Sequence, residues 1–353
     1  MMRIKILIRI GLILVSFLVA FLLLEAGLRV SGWYIQSPVY VEDDETGLPL
    51  LKLSSKMKVK SECFENEVVT NRYGFHGPDY EKVKPEGTYR IAIMGDSFVE
   101  AAQVPLEKTF SSILERKLNQ DSDQGLKYEV IPFGISSHGT YASLLYFKYY
   151  AAEFKPDLVI NLYSYNDLTD DLLYGSLPFD EKGEVIVNIS GQEPDLISKI
   201  KKGTKSQIRK SVAVMTLRRK FKQLEQKEQI GSVPELPEQV SLDQLWPDEE
   251  KIIIAFRDLV RASGADFLFI SGTEASQVHP ELAGTGEKVD NFGAEDERLA
   301  DIAQKLSMRY LSLAPTFKQN AEKTKLISVW PCDGHWNQTG HEWAAEAIYE
   351  KLF

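Results

Sequence analysis

Tyr89-Arg90-Ile91-Ala92-Ile93-Met94, followed directly by Gly95-Asp96-Ser97-Phe98, is the stretch from which the fold is read. A short apolar run that ends in glycine suits a strand buried on both faces and turning sharply at its end. Two similar runs follow, Tyr128–Phe133 (YEVIPF) and Asp157–Tyr163 (DLVINLY). Asp266–Ile270 (DFLFI) and Tyr310–Leu313 complete a set of five. Between and after them lie stretches with helical patterning: Leu106–Leu118, Tyr141–Phe154, Pro247–Ser263, Ala294–Ser307 and Thr339–Leu352. Strands alternating with helices predict an α/β fold with a parallel sheet. The handedness of crossovers then predicts a doubly wound, flavodoxin-like five-stranded sheet with helices on both faces. Ligands of such folds sit at the carboxyl ends of the strands, so the loops after the first three strands are the places to search.

Upstream, residues 31–86 lack clear periodicity and include the turn-rich Asn71-Arg72-Tyr73-Gly74-Phe75-His76-Gly77-Pro78. They read as an approach segment. Ile10–Leu24 holds no charge, and Ile6–Leu28 as a helix would span roughly 34 Å, enough for a hydrocarbon core. A cleaved signal peptide is the competing reading, but no small-x-small cleavage site follows closely. Residues 1–30 are therefore expected to form a cytoplasmic tip and a transmembrane anchor. Arg3, Lys5 and Arg9 precede the apolar run, while Glu42, Asp43 and Asp44 come after it. The positive-inside rule then puts the N-terminus in the cytoplasm and the rest outside, as a single-pass protein. Residues 87–353 read as the catalytic domain, with an insertion at about 172–246.

The 353 residues carry 41 Lys/Arg against 51 Asp/Glu, a net charge of −10. That balance argues against a nucleic-acid partner. Residues 199–227 depart from it, with eleven Lys/Arg and one acid. A solvated helical insertion is the plainer account of them; a lid or a face toward anionic lipid heads is the other. The only cysteines, Cys63 and Cys332, exclude a disulfide-rich scaffold and a four-cysteine zinc site. Outside the cytoplasm the two can form a disulfide; otherwise they are independent thiols.

Three loops hold residues suited to acyl chemistry. Ser97 follows the first strand, where Gly95 permits a tight turn. A serine there is inert without a base. Pro331-Cys332-Asp333-Gly334-His335-Trp336-Asn337 supplies one, since Asp333 can hold one nitrogen of His335 while the other faces a different group. Asn166, in Ser164-Tyr165-Asn166-Asp167, ends the third strand with amide donors suited to a developing oxyanion. Gly134 ends the second strand and offers a backbone N–H for the same oxygen. His138, Tyr165 and Trp336 are expected near substrate. His76 and His279 read as surface or loop histidines, and His341 as structural. No metal or other cofactor is expected.

Together these residues resemble the SGNH (GDSL-type) hydrolases, in a membrane-anchored bacterial form. Gly95-Asp96-Ser97-Phe98 looks like the first block of that family, Gly134 the second-block glycine, Asn166 the third-block asparagine, and Asp333 with His335 the fifth block. The resemblance covers roughly residues 88–353 without the insertion. It implies Ser97 as nucleophile, His335 as general base and acid, Asp333 as its orienting partner, and an oxyanion hole of Ser97, Gly134 and Asn166. Two features depart from the pattern: Ser164 stands where glycine is usual, and Asp333-Gly334-His335 is one residue shorter than Asp-x-x-His. The shorter form looks like that of alginate O-acetyltransferase-type relatives. The implied function is hydrolysis of short acyl esters, O-acetyl groups on glycans among them. The alternatives are an O-acetyltransferase acting on an extracytoplasmic polysaccharide and a non-catalytic glycan-binding relative.

Overall fold

The computed structural model describes residues 2–31, 36–122, 125–173, 179–180, 182–187, 242–282 and 292–352. The basic stretch 199–227 lies outside the described residues. The chain divides into two compact units, Met1–Gln36 with Gln192–Gly231, and Ser37–Gly191 with Ser232–Phe353. In the first, α1 runs Met2–Ser31, and its Ile8–Leu28 portion is long and apolar enough to cross a membrane. A signal sequence would pass the same measure.

The second unit is built on five parallel strands: β5 (Thr88–Gly95), β6 (Lys127–Gly134), β7 (Leu158–Tyr163), β8 (Asp266–Ser271) and β9 (Arg309–Ser312). Their order is β6-β5-β7-β8-β9. That is the flavodoxin-like order, in which the chain reverses direction across the sheet between β5 and β7. Alternation along the strands feeds two apolar layers. Val159 and Tyr163 enter one layer with Phe147 and Phe256; Leu158, Ile160 and Leu162 enter the other with Phe110, Phe317 and Trp336. Arg90, buried within β5, spends its guanidinium on Glu129 Oε2 (2.7 Å) and on the carbonyls of Glu81, Lys82 and Phe154. A buried charge with four of its five N–H donors directed at acceptors is tolerated inside a strand.

The helices differ from expectation chiefly in where they begin and break. The expected helix 106–118 is a 3-10 turn, Leu106–Lys108, followed by α3 (Phe110–Gln120). Thr109 divides them because its hydroxyl accepts the Ser112 N–H (3.3 Å), an N-cap geometry. The stretch 141–154 likewise splits at Tyr150 into α4 (Thr140–Tyr149) and a 3-10 turn, Ala151–Phe154. Between β7 and β8 lie α5 (Asp167–Leu173) and α6 (Leu242–Ala262). α6 begins at Leu242, five residues before Pro247, which therefore stands inside the helix and leaves one backbone hydrogen bond unmade. Then come α7 (Ala275–Val278), α8 (Phe292–Lys305), α9 (Ala314–Thr324) and α10 (Gln338–Leu352). α9 was not expected from the sequence.

The approach segment carries regular structure of its own. It forms two antiparallel hairpins, β1 (Tyr40–Glu42) with β2 (Pro49–Leu51), and β3 (Lys56–Lys60) with β4 (Glu65–Val69). Leu50, Leu51, Met57, Val59, Val68 and Phe75 are buried in the core layer that holds Phe133 and Phe147. Burial of that much apolar surface makes residues 37–86 part of the same folding unit.

Two glycines permit the close approach on which the first loop depends. A Cβ on Gly95 would lie 2.6 Å from Val99 Cγ2 and 3.0 Å from the Leu162 carbonyl oxygen. A Cβ on Gly134 would lie 2.3 Å from the backbone nitrogen of Glu100. Gly134→Ala is expected to lower stability by about 1–3 kcal/mol, the usual cost of overpacking against backbone. Urea unfolding of the variant beside the parent checks it.

Candidate active site

α2 (Ser97–Glu100) begins directly after β5. Asp96 is its N-cap, accepting the Phe98 N–H at 3.0 Å. The carboxylate is wholly buried, and its Oδ1 also accepts the Ser164 hydroxyl at 3.0 Å. Ser164 therefore has a reason to stand where the family pattern has glycine: its hydroxyl joins the loop after β7 to the loop after β5. Burial raises the Asp96 pKa above the usual carboxylate value, against the opposing hydrogen bonds from Phe98, Ser164 and Asn166 and the nearby His335.

His335 approaches from the far end of the chain. His335 Nε2 lies 2.8 Å from Ser97 Oγ. Ser97 Oγ also lies 3.4 Å from Asp96 Oδ2, but one hydroxyl proton cannot serve both, and the shorter contact is to the imidazole. Donation to Nε2 puts the imidazole proton on Nδ1, a tautomer inferred from this network. Nδ1 faces Asp333 Oδ1 at 3.3 Å, close enough for an ion pair but without hydrogen-bond alignment. The same Oδ1 accepts the His335 backbone N–H at 3.1 Å. Burial alone would lower the His335 pKa; contact with Asp333, helped by the charges of Asp96 and Glu100, outweighs it and raises the value above 6.5.

Three neighbours fix the His335 loop. Trp330 N–H donates to the His335 carbonyl at 2.7 Å. Trp336 is buried against Phe98, Phe110 and Phe317, and its indole N–H donates to Thr273 Oγ1 at 3.1 Å. On the other side, Cys332 is bonded to Cys63 in the β3–β4 turn. The bridge ties the catalytic loop to a segment 269 residues earlier.

Asn166 precedes α5, and its Nδ2 donates to Asp170 Oδ2 at 2.6 Å. The same amide also donates toward Asp96, so two carboxyl groups compete for its hydrogens. Gly134 does not present the expected donor. Ile135 N–H donates to the Gly95 carbonyl (3.3 Å), so the pleat turns the Gly134 N–H away from β5, toward the open edge. Its glycine identity is explained by the α2 packing instead. In the loop after β6, the Ser136 N–H donates to Glu100 Oε2 at 2.8 Å, and exposed Ser137 takes a positive φ of 60°.

Of the three residues expected near substrate, Tyr165 is 38% exposed beside Asn166. Trp336 belongs to the core instead. His138 is buried too, its Nδ1 bonded to the Ser136 carbonyl (2.7 Å), and desolvation pushes its pKa down to about 4. His76 and His279 are likewise buried rather than at the surface, bonded to the Glu100 carbonyl and the Ser328 hydroxyl, both at 2.8 Å. His341 is buried and stacked on Phe110, with a pKa near 3 through desolvation. Among the described residues, no group of three His, Cys, Asp or Glu is arranged to hold a metal ion.

No protein-family description matches the sequence, and no curated protein is similar to it by sequence. Solved structures similar to it include the acetyl xylan esterase AlAXEase, at 12% identity and a TM-score of 0.46, covering 75% of this chain and 100% of that one. A catalytic mutant of an acetylxylan esterase from Geobacillus stearothermophilus shares 11% identity at a TM-score of 0.44, covering 77% and 96%. A protein described as lipolytic and of the G-D-S-L family, from Desulfitobacterium hafniense, shares 10% at 0.40, covering 74% and 99%. Likenesses this distant carry no weight for activity, which is argued from the side chains.

Because Cys332 adjoins Asp333, the double variant Cys63→Ser/Cys332→Ser is expected to lose about 2–4 kcal/mol of stability, typical of a native disulfide. It should also lose several-fold in kcat with KM little changed. Thermal unfolding and steady-state kinetics on an acetate ester, with and without reductant, check both.

Proposed function

We propose that this protein is a serine esterase acting on short acyl esters, with Ser97, His335 and Asp333 as its triad. The observation that carries it is the 2.8 Å contact between Ser97 Oγ and His335 Nε2, at the turn where the chain reverses across the sheet. Ser97 Oγ attacks the ester carbonyl carbon while its proton passes to Nε2. The imidazolium is balanced by Asp333, with buried Asp96 and Glu100 behind it. The tetrahedral oxyanion is met by the Ser97 N–H and by the Asn166 amide, which turns from its carboxyl partners to donate. The alcohol leaves with the proton from His335, and water, deprotonated by the same nitrogen, releases the acid and restores Ser97.

The substrate class we favour is an O-acetyl group on an extracytoplasmic glycan. Its supports are the apolar N-terminal helix, read as an anchor with its N-terminus in the cytoplasm, the disulfide, and exposed Tyr165, whose ring can stack on a sugar. A second reading, transfer of the acyl group to a sugar hydroxyl, is favoured by the short Asp333-Gly334-His335 spacing. Product analysis separates them: free acetate for hydrolysis, acetylated sugar for transfer.

Ser97→Ala is expected to abolish both fluorophosphonate labelling and release of a chromogenic acetate; wild-type turnover by this variant sinks the assignment. Asn166→Ala should lower kcat by roughly 10²–10³ for the loss of one oxyanion donor.

The base works only when His335 is neutral. The acid limb of kcat/KM should therefore have its midpoint above 6.5, with rate falling as pH falls through it. Asp333→Asn removes the charge that favours the imidazolium and should move that midpoint downward. A pH–rate profile of both proteins tests this.

A further inference from the structure

Glu100, at the last residue of α2, is a wholly buried carboxylate outside the triad. Both its oxygens accept from the Tyr40 hydroxyl, at 2.9 and 3.0 Å, and Oε2 also accepts the Ser136 N–H at 2.8 Å. Its own carbonyl receives the 2.8 Å contact from His76 Nδ1. Residues of β1, the 71–78 turn and the loop after β6 thus converge on one residue, the first and last on its side chain and the turn on its carbonyl. Its charge is also felt by His335, where it favours the imidazolium.

We propose that Glu100 is a positioning residue of this site, holding the Ser136–Ser137 turn against the catalytic serine loop and adding negative charge behind His335. The inference rests on the esterase reading above.

One observation supports it on geometry and a second on electrostatics. Ser137, a residue with a side chain, sits at a positive φ that costs energy unless its surroundings impose it. The grip of Glu100 on the adjacent Ser136 N–H is such an imposition. Second, Asp333, 3.3 Å from His335 Nδ1, leads the groups that favour the imidazolium, and the buried carboxylates Asp96 and Glu100 add to it.

The arrangement costs stability. Burial pushes the Glu100 pKa up to about 7, although Ser136, Tyr40 and His335 oppose the shift. A carboxyl whose folded pKa is raised from 4.5 binds its proton more tightly when folded, so it weakens the fold as pH rises from about 4.5 through about 7. A residue retained only for stability would not behave this way. Glu100→Gln keeps the acceptor toward Ser136 and Tyr40 but removes the charge.

The test is Glu100→Gln, with Tyr40→Phe as a milder second variant, read three ways. NMR titration of His335, assigned with His335→Gln, needs no substrate and so separates failure of this proposal from failure of the esterase reading. The His335 pKa is expected to fall by about 0.5–1 unit in Glu100→Gln, less than the 1–3 units of a contacting partner. Tyr40→Phe should move it the same way by less, since Glu100 loses a donor to its charged form. In kinetics on an acetate ester, kcat should fall about tenfold with KM near the parent value, while the melting temperature at pH 8 stays equal or rises. An unchanged His335 titration overturns the proposal. So does an unchanged kcat, and so does a loss of activity that only follows a lowered melting temperature, which makes Glu100 structural.

Discussion

The site depends on how closely a helix of four residues can lie against the ends of two strands. α2 rests on β5 and β6 where neither Gly95 nor Gly134 has a side chain, with Val99 and the Glu100 nitrogen in the space a Cβ would fill. That contact sets where Ser97 emerges, and it brings Glu100 over the loop after β6. Move α2 outward by the width of a methyl group and Ser97 leaves the range of an imidazole held by a different part of the chain. Interiors pack too densely for such a shift to be absorbed locally.

The imidazole is held with equal economy. His335 lies between a buried indole at Trp336 and a covalent tether at Cys332, so its loop is fixed on both sides. The ring itself keeps 28% of its side-chain surface, as a base that must reach substrate requires. Trp336 illustrates why flanking aromatics mislead. Next to His335 in sequence, it is buried among Phe98, Phe110 and Phe317 and becomes the core anchor that holds its neighbour's position.

Strand runs were legible because a parallel sheet buried on both faces leaves near-continuous apolar stretches, and those at 89–94, 128–133 and 157–163 each lie within or one residue beyond the observed strands. The serine, asparagine and histidine loops were legible for the same reason, as punctuation between such runs. What escaped was specified by side-chain contacts rather than by period. Thr109 splits a helix through its hydroxyl, and Gly134 serves packing while its N–H faces the sheet edge. The hairpin Lys56–Lys60 with Glu65–Val69 did carry a signal: Met57, Val59 and Val68 alternate with charged residues, a two-residue period inside a stretch read as irregular. Glu100 and Tyr40 had none, since a carboxylate and a phenol sixty residues apart meet only in three dimensions.

The buried acids at this end of the sheet follow from the architecture. In a doubly wound fold the helices that follow strands begin at the strands' carboxyl ends, so their N-termini gather there. Asp96 caps α2, and Asp171 accepts the Tyr141 N–H at the start of α4 at 3.0 Å. A helix N-terminus contributes about 0.3–1 kcal/mol toward a carboxylate, or ~2 in partly buried geometry, whereas desolvating the charge costs several. Desolvation wins: Asp96, Asp167, Asp171 and Glu249 all have pKa values raised, and burial is the first cause for each. An ester oxyanion formed in the same place would meet the same aligned N–H groups, but only for the lifetime of an intermediate and without a permanent charge to bury. The imidazolium opposite it gains from the acids already there. The arrangement that makes these carboxyls costly at rest is therefore suited to a reaction that separates charge between a histidine and an acyl oxygen.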